Sequence, residues 1–162
     1  MIRASVLIRG GPRAWARHFP KIMREELGEE GRRWWRSTLP GHFTPSGAIK
    51  YDYQPRSVAY LIKKKRVKGH QDPIVWSGET KSMVTRMVRI TSKSTPFGSE
   101  ATIALMGPKQ LFAYRKDYKQ PDKAAELTTV TPDEQNEMSR RIGDKVKGRL
   151  AALRDTEHKR ID

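Results

Sequence analysis

Four histidines, His18, His42, His70 and His158, are the side chains best suited to bind a metal or relay a proton, and they lie far apart in sequence. None is paired at the spacing that puts two imidazoles on one helix face. A magnesium-dependent nuclease needs clustered carboxylates. Pro121-Asp122 could open such a motif, but Glu126-Leu127-Thr128 lacks the lysine that should follow two residues after the acid. Gly10, Gly11, Gly28 and Gly31 do not form a phosphate-cradling loop, and there is no GxSxG nucleophile turn. With no cysteine, disulfides, thiolate zinc sites and thiol nucleophiles are excluded together. These residues predict a protein that is not an enzyme and has no cofactor and no metal.

The remaining chemistry is cationic and aromatic. Lys63, Lys64, Lys65, Arg66 and Lys68 follow a helical patch at Ser57 to Ile62, with Tyr51, Tyr53 and Tyr60 close in sequence. Such a patch suits single-stranded nucleic acid, cations on phosphates and rings beneath bases. It equally suits an acidic protein surface, where Tyr and Arg are favoured anchors. A solvated loop whose lysines maintain solubility is the third reading. The only carboxylates between Gly41 and Gly78 are Asp52 and Asp72.

The whole chain shares that imbalance. Among 162 residues, 33 Lys and Arg face 18 Asp and Glu, a net charge of +15 that favours anionic partners. This length predicts a single domain, residues 1–162, with 41–78 as an extended basic and aromatic arm and 155–162 as a frayed C-terminal tail. The start of the chain lacks the apolar run of a signal peptide, and no stretch approaches a membrane span. The expectation is a soluble protein that stays where it is made or is carried elsewhere within an assembly.

Several elements must position the arm. Ser5 to Arg9 could be a short strand or a tail. Pro20 suits the first position of a helix that places Met23, Leu27, Gly31, Trp34 and Trp35 on one side and stops at Pro40-Gly41. One tryptophan of the pair is expected in the core, the other at its edge. Val84 to Thr91 and Ala101 to Met106 alternate at period two and read as a hairpin with a long tip containing Pro96 and Gly98. A third strand is expected around Glu126 to Val130. Thr131-Pro132-Asp133-Glu134 is a helix start, and Met138, Ile142, Val146, Leu150 and Leu153 mark its apolar stripe to about residue 154. The predicted class is α+β: a small antiparallel sheet packed by an N-terminal and a C-terminal helix, with a long projecting arm.

One order of residues has a family likeness. A tryptophan-bearing helix, Leu39-Pro40-Gly41-His42-Phe43, Tyr51-Asp52-Tyr53 with Arg56, the lysine run, Gly69-His70, and Pro73-Ile74-Val75 leading to Ser77-Gly78 resembles small tail-completion and neck proteins of tailed bacteriophages. The likeness continues through the hairpin and residues 121–127. It implies a virion protein at the head–tail junction or tail end, made in the host cytoplasm, that forms a ring, commonly sixfold. Its implied neighbours are a head-side connector or portal-stack protein and the tail-tube protein, with nonspecific contact to genomic DNA in the channel and none to membrane. Intersubunit contacts are expected at His42, Phe43, Tyr51, Tyr53, Arg56 and Tyr60, and electrostatic docking at Lys63, Lys64, Lys65 and Arg66. The alternative is a cytoplasmic nucleic-acid-binding protein using the Tyr/Lys-rich arm.

Overall fold

In the computed structural model, which describes residues 2–4, 13–75, 78–95, 98–112 and 121–158, the elements are β1 (Ile2–Ala4), α1 (Arg13–Arg33), a π-helical turn (Trp34–Thr38), a 3-10 turn (Leu39–Phe43), α2 (Pro45–Lys50), α3 (Val58–Lys68), α4 (Glu79–Arg86), β2 (Val88–Thr95), β3 (Gly98–Leu105), α5 (Lys109–Phe112), α6 (Lys123–Thr128) and α7 (Pro132–His158). The class is α+β, as predicted. The sheet has the order β1-β3-β2, and Ile2, Arg3 and Ala4 pair antiparallel with Ile103, Thr102 and Ala101. The chain expected as one domain divides into two compact units: a terminal unit of 2–32, 90–103 and 132–162, and a central unit of 33–89 and 104–131.

In the terminal unit, helical spacing builds the core. Ile22, Met23 and Leu27 of α1 meet Ile142, Val146 and Leu150 of α7 and Ala101 of β3, with Phe19 and Leu153 at the margin. Each Ile, Met, Leu and Val among them contributes about 1.5–3 kcal/mol when fully buried. Gly31 faces the strands, where a Cβ would meet both Ile90 and Ile103 at a contact distance of 3.4 Å. Ion pairs fix the helix pairing. Glu30 binds Arg141, while Glu25 and Glu26 bind Arg149, so rising numbers on one helix face falling numbers on the other and the two run antiparallel.

In the central unit, the Leu39–Phe43 turn is the hub, touching the π-helical turn, α2, α4 and α6. Trp34, Leu39, Phe43, Val84, Leu111 and Leu127 are buried there. As expected, one of the tryptophans is core and the other marginal: half-buried Trp35 donates its indole N–H to the Val84 carbonyl at 3.0 Å, satisfying an acceptor in the last turn of α4. Thr44 caps α2 by accepting from the Gly47 N–H at 3.0 Å. Gly47 must be glycine, because a Cβ would lie 2.1 Å from the Gly41 carbonyl oxygen.

Four element assignments need correction. Pro20 lies inside α1 instead of opening it, because tertiary packing outweighs one lost backbone bond; its carbonyl accepts from the Ser94 and Ser99 hydroxyls. Val84 belongs to α4, not to a strand, since Gly78 in the left-handed region at φ 80° starts a helix and β2 begins only at Val88. Of the strand expected around Glu126 to Val130, residues 126–128 lie instead in helix α6, with Asp122 accepting from the Ala125 N–H as its N-cap. The last helix reaches His158, into the expected frayed tail, of which 159–162 lie outside the described residues, as do Ser5 to Arg9 and Pro96.

Candidate docking surface

His42, Phe43, Tyr51 and Tyr53, expected to meet a neighbouring subunit, turn inward instead. The 3-10 turn and the Thr44 cap aim His42 into the central unit, where it is fully buried. Its ring stacks on Tyr51 with centroids 3.6 Å apart and planes 10° apart, and meets the edge of Trp34 at 5.9 Å. The His42 Nδ1 lies 2.6 Å from the Tyr53 hydroxyl and 3.2 Å from the Glu126 carbonyl. Burial, together with the Glu126 charge and Tyr51, raises the pKa of Tyr53, so the phenol holds its proton. These rings pack the chain's own core, with His42 Nδ1 and the Tyr53 hydroxyl as their polar contact.

Arg56 is likewise used internally. Its guanidinium donates to both carboxylate oxygens of Glu126, at 2.9 and 2.6 Å, and to the Gln54 carbonyl. The Gln54 N–H donates to the same carboxylate at 3.2 Å. Glu126 therefore closes residues 51–56 onto α6, and the forked geometry makes this one of the stronger polar contacts of the unit.

Helix α3 behaves differently. Ser57 accepts from the Tyr60 N–H as N-cap, and Gly69 ends the helix at φ 76°, so the whole cationic run is helical. Within α3 only Lys64 is buried, at 1% exposure, and Leu61 half-buried. Val58 and Ile62 stand 72% and 61% exposed, one turn apart. Lys63, Lys65 and Arg66 surround them on the solvent side. The predicted docking cations thus separate: three of the four present themselves outward, and Lys64 is withdrawn. Tyr60 stays partly exposed, its ring 5.6 Å from the Lys64 ammonium.

Lys64 donates to the Asp72 carbonyl. Burial lowers its pKa, with the Asp72 charge opposing that shift. Charge is concentrated in this unit. By sequence it holds 17 of the 33 Lys and Arg but six of the 18 Asp and Glu, a net +11 of the chain's +15. In the terminal unit, Glu25, Glu26 and Glu30 already pair with arginines.

Sequence reasoning missed Glu126 as the partner of Arg56, and the inward turn of Lys64. The first sits 70 positions away and gives no local signal. For the second, Ser57 and Gly69 bracket the run as a helix start and stop, which signals its helicity but not which lysine turns inward. Among the described residues, no three His, Asp or Glu come together as a metal site would require, and no helix is long and apolar enough to cross a membrane. No family model, curated protein or solved structure matches the chain.

Proposed function

We propose that this chain is an architectural subunit of a tailed bacteriophage, a tail-completion or neck protein that acts in a ring at the head–tail junction. The observation that carries the reading is helix α3, whose outer side combines exposed Val58 and Ile62 with Lys63, Lys65 and Arg66. Apolar side chains ringed by charge suit a protein interface, with burial supplying affinity and the cations steering encounter. The resemblance in residues 39–78 supplies the setting, and the role follows as joining, not catalysis. A head-to-tail contact repeated around an axis closes a ring, sixfold in the family this order of residues resembles.

Electron microscopy of particles assembled with wild-type chain and with the triple variant K63E/K65E/R66E tests this. The wild type is expected as a ring at the junction, and the variant as a folded protein missing from it, because exposed charges contribute little to stability. A wild-type chain that never enters the particle overturns the reading. The net +11 of the central unit favours one rival, a nucleic-acid binder; its signature is affinity for DNA that falls steeply as salt rises.

A further inference from the structure

The central unit contains a cleft of about 310 Å³ whose walls come from residues 45–56 on one side and α3 with residues 71–74 on the other. No Asp or Glu lines it, while Arg56 and Lys64 both do. Arg56 already holds Glu126. We infer that the cleft receives a carboxylate side chain from an acidic peptide segment of another protein, with Lys64 as its ion-pair partner. This holds whatever assembly the chain belongs to.

Three observations carry the assignment. First, Lys64 is 1% exposed yet, among the described residues, its ammonium donates to the Asp72 carbonyl and to no other acceptor. An ammonium has three N–H donors, and a buried charge short of acceptors is costly unless an anion arrives to complete it. Second, Pro45, Pro55 and Pro73 give the cleft walls without N–H donors. The methylenes of a glutamate fit such walls, and Lys64 and Tyr60, whose ring lies 5.6 Å from the ammonium, both line the cleft that its carboxylate enters. A duplex phosphate, flanked by its sugars, cannot follow a withdrawn lysine into a cleft. Third, Ile74 lines the cleft in a turn where the Val75 N–H bonds the Pro73 carbonyl at 2.6 Å and Ile74 is held at φ 61°. A β-branched residue avoids that region, and strain of this kind collects at ligand sites.

The test is an NMR titration of the ¹⁵N-labelled full chain with capped tetraglutamate, with capped tetraglutamine, inorganic phosphate and a short single-stranded oligonucleotide as separate arms. Tetraglutamate is expected to shift the amides of Tyr60, Gln71 and Ile74, and tetraglutamine to leave them in place. Lys64→Met should weaken tetraglutamate binding about tenfold or more, the scale of a lost charge-assisted hydrogen bond. Gln71→Glu, an exposed change at the cleft rim, should weaken it as well, and decides the matter if Lys64→Met fails to fold. Shifts confined to Lys63, Lys65 and Arg66, or no shift with tetraglutamate, overturn the inference. So does an equal response to phosphate or to the oligonucleotide.

Discussion

Arg56 holds Glu126 through both of its terminal nitrogens, across 70 positions of sequence. The pair is largely withdrawn from water, with side chains 17% and 9% exposed. Arg56→Ala strands a buried carboxylate and is expected to cost about 3 kcal/mol. Replacing both partners together by Met and Leu should cost far less than either single change predicts, because no charge is left alone. Urea unfolding of the two single variants and the double variant measures both.

Tyr53 makes alkaline stability a readout of the buried cluster. The native phenol keeps its proton above pH 10, near the ordinary value at which the unfolded chain releases it. The contribution is therefore complete below about pH 10 and declines above it, at up to about 1.4 kcal/mol per pH unit. Tyr53→Phe should lower stability at neutral pH by about 1–2 kcal/mol through the lost bond to His42, and should flatten this alkaline decline. Thermal melts from pH 8 to 11 would reveal it.

The sign reverses for Lys64. Its pKa is lowered on folding, so burying the charged form is unfavourable at neutral pH, and that penalty fades as pH climbs toward 10.5. Lys64→Met is expected to be at least as stable as the wild type at pH 7, with the gap closing toward pH 10.5. A variant clearly less stable at pH 7 would show that the bond to the Asp72 carbonyl outweighs desolvation.

Two arginines of α7 separate buried from exposed pairing. Arg141 satisfies Glu30, whose side chain is 5% exposed, whereas Arg149 is itself 43% exposed while bridging Glu25 and Glu26. Arg141→Ala should destabilise by about 3 kcal/mol. Arg149→Ala should cost under about 1 kcal/mol, since Lys145 remains 3.7 Å from Glu26. Denaturant midpoints of the two variants give the comparison.

The sequence was most legible where one local rule governed. Pro132 and the stripe Ile142, Val146, Leu150 define α7, and Met23 and Leu27 define the buried side of α1, because a 3.6-residue period needs no distant partner. Val84 and residues 126–128 were misread for the opposite reason: β-branched composition favours a strand locally, and only capping by Gly78 and Asp122 decides for helix. The candidate site split along the same line. Outward Lys63, Lys65 and Arg66 could be read from the run itself. The inward turn of His42, Tyr51, Tyr53 and Lys64 could not, since it is fixed by contacts made on folding, His42 with the Glu126 carbonyl and with the two tyrosines, Lys64 with the Asp72 carbonyl, rather than by spacing.

The unequal seating of neighbouring segments has a consequence for how this chain can diverge. His42, Gln54 and Arg56 all bond Glu126, and Phe43, Tyr51 and Tyr53 are buried beside them, so replacements of the inward side chains among these are penalised before any partner is met. On α3, nearly every position but Lys64 faces outward, and exchanging it leaves the interior untouched. Partner preference can therefore drift along α3 in single steps, each tolerated by the fold, while the interlocked segment beneath stays the same.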